Sequence, residues 1–540
     1  MVRELADERV RYRFGPLEQR GLIAGWRGGQ VISVAGSLVV AMLSIRSHPT
    51  VGGVILALGF VSIGAASACW PIRGRTGEQW LPIAARWVAD GLGGTRRRVA
   101  DVPSLGHVAT PGRRSGRTPG DGRTSGPTAR SRRQAAGSRR QPAGGRSRRP
   151  AGVFEGLRLV ATPADADHGW TAAGTVIDAR ARTVTGVLAL RGHDFALLGP
   201  DEQDRRVASW SRVLASLARE GSDVHRLQWI ESCLPDDGDA VRHHVRRHAV
   251  LGPETGPGRS YASLVDSATP VTRRHRVLVP LTVHTGHSAR AIRASGGGQA
   301  GASAVLLREL VALQRQLEAA DVTVDGVLGP GALASVCREA GSALSDLAAP
   351  PGPSPTRAGR PLAQPVEPST AWPWPMATEP TWDAVRTDGT WHTTYWIAEW
   401  PRVEVTPDFL GPLLFSPVRR TMAVTMEPVS PSRAARQVAH ARTSDLADGE
   451  LRRRGGFLVT ARHKREREGV EQRDVELTDG HAQYRFSGYV TVTGASKDQL
   501  HEARAQIEQA AGQARVDLRL LYGEQDRALT CTLPLGRGLS

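Results

Sequence analysis

Two uncharged apolar runs set the pattern of the chain. No position from Val31 to Ile45 carries a charge, and none does from Val51 to Trp70. The second run has roughly the 20 residues a helix needs to cross the hydrocarbon core of a bilayer. The first reaches that length when Gly28, Gly29 and Gln30 extend it. Arg46, Ser47, His48 and Pro49 separate the runs, and Pro49 cannot continue a helix interior. The pattern predicts a transmembrane helical hairpin with a very short outer loop. A buried hairpin of a soluble protein is the competing reading, but core helices are rarely uncharged all round. A cleaved signal peptide starts much earlier in a chain. Ala66-Ser67-Ala68-Cys69 looks like a lipoprotein cleavage box, yet it closes the second span and lacks the usual Leu.

Beyond the hairpin, Trp80, Ile83, Ala84 and Trp87 recur at helical spacing. They predict a short helix lying in the headgroup layer, or else one packed on the soluble body. Trp26 and Trp70 stand at the ends of the hairpin, where indole rings favour the headgroups. Trp26, Trp70, Trp80 and Trp87 are therefore the expected membrane anchors.

From residue 151 the pattern alternates between strand and helix. Residues 157–161, 174–179, 183–191 and 224–230 read as strands, with a helix over 201–219 whose first turn holds Asp201 and Glu202. A strand at 276–283 is pushed towards a sheet edge by Pro280. In the helix 302–320, Leu306, Leu310, Leu313 and Leu317 form one stripe, followed by short elements at 322–324 and 333–340. Further on, 395–400 and 420–427 read as strands, 432–456 as a helix and 462–473 as an exposed charged run. Ala482, Tyr484, Phe486, Val490 and Val492 alternate with polar partners as in a half-buried strand. Ser496-x-x-Gln499 is a capping box for a helix with Leu500, Ala503, Ile507, Ala511 and Ala514 on one face, and 516–520 returns as a strand. The strand–helix–strand patterns here and at 183–230 look like diverged copies of a ferredoxin-like unit. The expected fold class is α+β: an N-terminal transmembrane α-hairpin, then cytoplasmic α+β domains with ferredoxin-like βαβ units. The expected boundaries are 1–100 for the hairpin and flanks, 101–150 for a linker, 151–347 for one domain, 348–380 for a Pro-rich linker and 381–540 for a second domain.

Charge sharpens this division. Residues 1–110 hold 13 Arg against seven acids and 111–150 hold 12 Arg against Asp121, which accounts for the whole net charge of +17. The soluble body is balanced. Basic residues gather on both outer flanks of the hairpin, which places both termini in the cytoplasm of a multi-pass plasma-membrane protein. Residues 104–150 are Gly, Pro, Ser and Arg with almost nothing apolar, a composition that predicts disorder. This stretch is a solvated tether, a contact for anionic lipids, or a nucleic-acid contact, though without aromatics to stack on bases. Four widely spaced cysteines indicate neither a disulfide framework nor a zinc site.

No catalytic set stands out. Neither Lys464 nor Lys497 sits in the Gly-Lys-Ser/Thr setting of a P-loop. Gly296-x-Gly298-x-x-Gly301 matches a dinucleotide fingerprint, but the nearest strand ends too early for the pyrophosphate to meet the helix N-terminus, so a flexible loop is the expectation. His243, His244 and His248 with Cys233 lie among Arg242, Arg246 and Arg247, which repel a cation. No catalytic residue, cofactor or metal is expected. Trp372, Trp374, Trp382, Trp391, Trp396 and Trp400 crowd nearly half of the 13 tryptophans into 29 residues. They are either a docking surface or a local core; Trp391, Trp396 and Trp400 are the docking candidates.

Several stretches together carry a family resemblance. Tyr12-Arg13-Phe14-Gly15-Pro16-Leu17-Glu18, Gly25-Trp26-Arg27-Gly28-Gly29-Gln30, the hairpin and Glu78-Gln79-Trp80-Leu81-Pro82 resemble actinobacterial membrane proteins of conjugation or type IV secretion-like clusters. Gly174-Thr175-Val176-Ile177, Phe195-Ala196-Leu197-Leu198, Arg226-Leu227-Gln228-Trp229 and residues 532–539 are similar to the non-motor N-terminal region of conjugative-transfer ATPases. The resemblance implies a non-enzymatic, oligomeric membrane scaffold that docks a separate hexameric ATPase and other membrane subunits. A type VII secretion membrane subunit is the near alternative, and a membrane-tethered DNA-binding module the distant one.

Overall fold

The computed structural model describes residues 28–47, 49–69, 73–94, 96–100, 152–163, 172–192, 195–235, 245, 247–249, 252, 254–268, 273–341, 373–454 and 461–539. The expectations for Trp26, Trp70, Trp372, His243, His244 and residues 104–150 lie outside them.

The two apolar runs form helices α1 (Gly28–Ser47) and α2 (Val51–Cys69), which pack side by side. Both are long and apolar enough to cross a membrane, and most of their large side chains, such as Leu43 and Leu56, point outward. Polar groups bridge them at one end: Ser33 and Ser67 hydroxyls lie 3.0 Å apart, and Gln30 Nε2 donates to the Ala68 carbonyl at 2.7 Å. Gly64 lets the backbones close up there, against Ser37. Helix α3 (Gly77–Leu92) follows, then the two-residue strand β1 (Arg98–Val99).

The body is built on one 13-stranded sheet, and every pairing among the described residues is antiparallel. Its first half comprises β2 (Leu157–Pro163), β3 (Ala172–Asp178), β4 (Thr183–Leu190), α4 (Pro200–Leu217), β5 (Val224–Pro235), α5 (Gly256–Ala268), β6 (Arg273–His284), α6 (Ala289–Ala294), α7 (Gly298–Ala319), β7 (Val324–Val327) and α8 (Pro330–Gly341). The second comprises β8 (Ala377–Pro380), β9 (Val385–Thr387), β10 (Thr390–Glu399), α9 (Gly411–Leu414), β11 (Arg420–Val429), α10 (Pro431–Arg454), α11 (Ala461–Thr478), β12 (Gln483–Gly494), α12 (Lys497–Gln513), β13 (Asp517–Leu520) and α13 (Gln525–Thr530).

Strand order reveals a duplication. In the first half the order β7-β4-β6-β5, and in the second the order β13-β10-β12-β11, is that of a βαββαβ ferredoxin-like unit. Each unit is preceded by a two-strand extension, β2–β3 or β8–β9, and followed by a helix, α8 or α13. Each also carries its insertion between the second and third strands: α5 in one, the α10–α11 helical pair in the other. The sequence pattern found the unit but matched opposite halves of it. Residues 183–230 are the first strand–helix–strand of one copy, and 483–520 are the last of the other.

The copies join along their second strands, β5 and β11, from Leu227↔Met426 to Cys233↔Arg420. On one face of the sheet, α7 buries Leu306, Leu310, Leu313 and Leu317 completely against Val184, Leu188 and Val279. On the same face α12 buries Leu500, Ile507 and Ala511 against Val490 and Val492. Trp229 touches both clusters. The opposite face is closed at the seam by α8 and by residues 531–539, with Leu533 and Leu535 packed on Ile230, Leu278 and Ala423.

Strand β6 corrects the edge expectation. It lies between β4 and β5, with Pro280 opposite Val187. On the β5 side the ladder runs to Leu227↔Leu281 and resumes at Ile230↔Leu278. The gap falls at Pro280, which has no N–H to give. In that gap the side-chain amide of Gln228 meets the segment crossing the sheet face: Nε2 donates to the Cys531 carbonyl at 2.7 Å, and Gly536 N donates to Oε1 at 3.1 Å.

Candidate functional site: the collar between hairpin and body

Helix α3 links the apolar hairpin to the second ferredoxin-like unit. Its first turn grips the end of the hairpin where α1 begins and α2 ends. The Glu78 side chain lies against Gly29, in the first turn of α1, where the helix dipole favours a carboxylate. Gly77 lies so close to Ser67 that an added Cβ would sit 2.9 Å from its side chain.

One face of α3 then docks on the body through aromatic rings. Trp80 stacks on Trp382 with ring centroids 5.9 Å apart, and Trp87 meets the same indole edge-on at 5.4 Å. Tyr522 closes the group, 6.2 Å from Trp80. Cations fill the rim: Arg73 lies over Tyr522 at 4.5 Å and Arg96 over Trp87 at 4.2 Å. Arg75 pairs with Glu524 at 2.9 Å and Arg86 with Asp526 at 3.6 Å. Such half-exposed pairs contribute little each; the ring burial carries the contact. Gly523 makes it possible. Its φ of +71° suits glycine, its N–H donates to the Trp382 carbonyl at 2.7 Å, and a Cβ there would sit 2.8 Å from Trp382 and from Ile83. Beyond α3, Arg98↔Thr378 and Val99↔Ala377 add β1 to the sheet edge at β8. The chain is therefore tied to the body before residue 101.

Of the expected membrane anchors, Trp80 and Trp87 thus face protein, and Trp382, one of the crowded tryptophans, is their partner. The docking candidates separate. Trp391 and Trp396 are five residues apart on β10 and fall on opposite faces of the sheet. Trp391 sits on the helix side under Lys497, whose Nζ is 4.7 Å from the ring. Trp396 is on the other side, its Nε1 donating to Ser487 Oγ at 3.0 Å. Trp400 lies on the helix side, edge-on to Phe409 and Phe486 at 6.4 and 5.6 Å, roughly 30 Å along the strand from Trp391. Trp374 stacks on Phe154 in the seam core at 5.8 Å.

The chemical groups of the body are committed to structure. Cys233 is buried in β5, and among the described residues no His, Cys, Asp or Glu group is placed to hold a metal ion. Gly296, Gly297 and Gly298 make the sharp corner between α6 and α7 with positive φ, and Gly301 touches the Ile292 carbonyl, so the fingerprint glycines serve a helix corner. Burial pushes the Cys337 thiol up to about 12 and holds His392 down at about 3, aided there by the Arg419 cation. His392 is clasped between Thr387 at 2.7 Å and Thr493 at 3.0 Å. His225, His284 and His287 cluster with centroids 4.2–5.4 Å apart; burial lowers the first to about 4 and also lowers His284.

Sequence reasoning missed the ion pair at the seam. Arg420, fully buried, donates to Glu231 and to the Leu414 carbonyl, and His275 Nδ1 lies 2.6 Å from the other Glu231 oxygen. Opposite charges on the two strands were the available sign: Arg226 and Glu231 on β5, Glu427 and Arg420 on β11, with Arg226 and Glu427 also paired at 3.3 Å. Arg537 likewise ties the segment 531–539 to the first unit, reaching Asp178 at 2.6 Å and the Val153 carbonyl at 3.0 Å.

Comparison with known proteins adds one match. A family model described as "Putative type VII ESX secretion system translocon, EccE" matches residues 271–397, from β6 to β10. The match crosses from the first unit into the second. No curated protein matches the chain. The match corrects the conjugation-type resemblance: it backs the type VII alternative and gives no support to a body derived from conjugative ATPases.

Proposed function

We propose that this chain is a non-enzymatic membrane subunit of a type VII secretion-like translocon, in which α1 and α2 anchor the protein and the duplicated sheet forms its cytoplasmic body. The carrying observation is the translocon-family match over 271–397 in a chain that also holds two membrane-length helices. The collar adds a mechanical reason. Ring stacking and the β1–β8 pairing fix α3 and the chain after it to the body, and the Glu78 and Gly77 contacts fix α3 to the hairpin, as suits a subunit that holds a large assembly in register rather than one that swings on a free tether. The basic flanks favour cytoplasmic termini. Its partners are other membrane subunits of the machine, the secretion ATPase among them.

Affinity purification of the tagged full chain from detergent-solubilised membranes, followed by mass spectrometry, tests the reading. Recovery of type VII membrane subunits is the expected result. Recovery of conjugation proteins instead, or of no membrane subunit, overturns it. Reporter fusions after residues 28 and 155 are both expected to read cytoplasm.

A further inference from the structure

Helix α3 has a second apolar face. Opposite the docked Trp80, Ile83, Arg86 and Trp87, the side chains of Leu81, Pro82, Ala84, Ala85, Val88, Ala89 and Leu92 are exposed. Leu81 is 70% exposed, Val88 54% and Leu92 86%. Positions 81, 85, 88 and 92 follow the i, i+4, i+7, i+11 spacing of one helical stripe, and no charged residue interrupts it. The charged residues of α3, Glu78, Arg86 and Asp90, lie on the protected side, where Arg86 and Asp90 pair at 3.7 Å and Arg98 reaches Asp90 at 3.7 Å.

The place of this stripe in the molecule says what covers it. Through Glu78 and Gly77, α3 starts against Gly29 and Ser67, at the end of the hairpin from which both spans leave the membrane. An apolar helical face that begins at that level, with the exposed Arg97 just beyond the helix, meets lipid before it meets water. We infer that α3 is a two-faced interfacial helix: its aromatic side holds the second ferredoxin-like unit, and its Leu81–Ala85–Val88–Leu92 side lies in the acyl–headgroup boundary of the bilayer. The body is then pressed to the membrane through this helix, and the indoles of Trp80 and Trp87 are the link to protein, not to lipid. The inference rests on the membrane-anchored reading of α1 and α2 given above.

The test uses the full chain reconstituted in phosphatidylcholine–phosphatidylglycerol vesicles. Leu81→Cys, Ala85→Cys and Val88→Cys are each labelled with bimane, with the label signal of the unsubstituted chain subtracted. Leu56→Cys in α2 serves as the reference inside the bilayer and Arg180→Cys, on the exposed β3–β4 turn, as the reference in water. Lipids brominated high on the acyl chain are expected to quench all three α3 labels at least about twofold more than the Arg180→Cys label, with emission shifted to the blue. Quenching of the Leu81→Cys and Val88→Cys labels no greater than at Arg180→Cys overturns the inference, whether iodide reaches them or a covering protein shields them. If Leu56→Cys is itself unquenched, the anchoring role of the hairpin fails as well. If it is quenched while the α3 labels are not, only the two-faced helix fails.

Discussion

Trp80 and Trp382 are 302 positions apart in sequence and stack with ring centroids 5.9 Å apart and planes 23° from parallel. That contact joins the membrane-proximal helix to the sheet, and Trp382 serves Trp80, Trp87 and Tyr522 at once.

Removing the shared ring is expected to free α3. Trp382→Ala costs about 2–3 kcal/mol of docking, below the full loss for a buried aromatic because the indole is partly exposed. Hydrogen exchange of α3 amides in the detergent-solubilised chain then rises about thirtyfold or more, while β10 and β12 keep their protection. Gly523→Ala acts in the same direction by strain at a positive φ and by collision with Trp382 and Ile83. Unchanged exchange in both variants means that the rings touch without holding the helix.

At the seam, Arg420→Met leaves the Glu231 carboxylate buried beside β11 with only the His275 ring to answer it. Breaking a buried pair from one side costs about 3–5 kcal/mol, whereas the double variant Arg420→Met, Glu231→Leu restores most of that stability. Urea unfolding of the two variants against the parent reads the difference. A single variant that loses under about 1 kcal/mol shows that water reaches the site and the pair is not structural.

Much of this architecture was legible in the sequence because it depends on local periodicity. The Leu306–Leu317 stripe and the Ser496 cap, whose hydroxyl accepts from Gln499 N at 3.2 Å, are statements about neighbours three or four residues apart. Four features escaped. Both sides of α3 are apolar, so periodicity alone left the headgroup-layer and body-packed readings of Trp80 and Trp87 open, and the Trp382 partner lies 302 positions away. Pro280 misled because a proline interrupts a ladder locally without excluding the strand from the interior: the β5 side breaks off at Leu227↔Leu281 and resumes at Ile230↔Leu278. Trp391, Trp396 and Trp400 looked like one patch because they crowd in sequence, but a strand's two-residue period sends the first two to opposite faces. The Arg420–Glu231 pair spans 189 positions, beyond any local pattern.

The α10–α11 helical pair is expected to be dispensable for folding. Among the described residues its apolar cluster is internal, Val438 and Ala441 against Val470 and Leu477. Its ties to the body are hydrogen bonds such as Ser432 Oγ to Glu220 at 3.1 Å and Gln483 Nε2 to Gln437 at 3.2 Å. Replacing residues 432–481 by an Asn-Gly turn removes little buried apolar area from the sheet, and β11 and β12 already run antiparallel to Val429↔Gln483. Thermal unfolding of the shortened chain should move by no more than a few degrees. A larger drop assigns the pair a structural role; an unmoved midpoint with loss of co-purifying subunits assigns it to assembly.

His392 makes stability depend on pH in a definite direction. Its pKa is about 3 in the folded chain against an ordinary 6.5, so between those values the unfolded chain binds a proton that the folded chain refuses. Stability is therefore complete above pH 6.5 and falls as pH drops towards 3, at a limiting slope of about 1.4 kcal/mol per pH unit. From pH 7 to 4.5 this one ring accounts for at most about 3 kcal/mol. His225, also lowered by burial, adds in the same direction, and acid groups that titrate lower contribute to both parent and variant. The measurement is thus a difference: urea midpoints at pH 7, 6 and 5 for the parent and for His392→Asn. The variant starts less stable, because Thr387 and Thr493 lose the ring that joins them, but it loses less stability across that range. Parallel pH profiles mean that His392 is protonated in the folded chain as readily as in the unfolded one, and that its place between the two threonines does not exclude the charge.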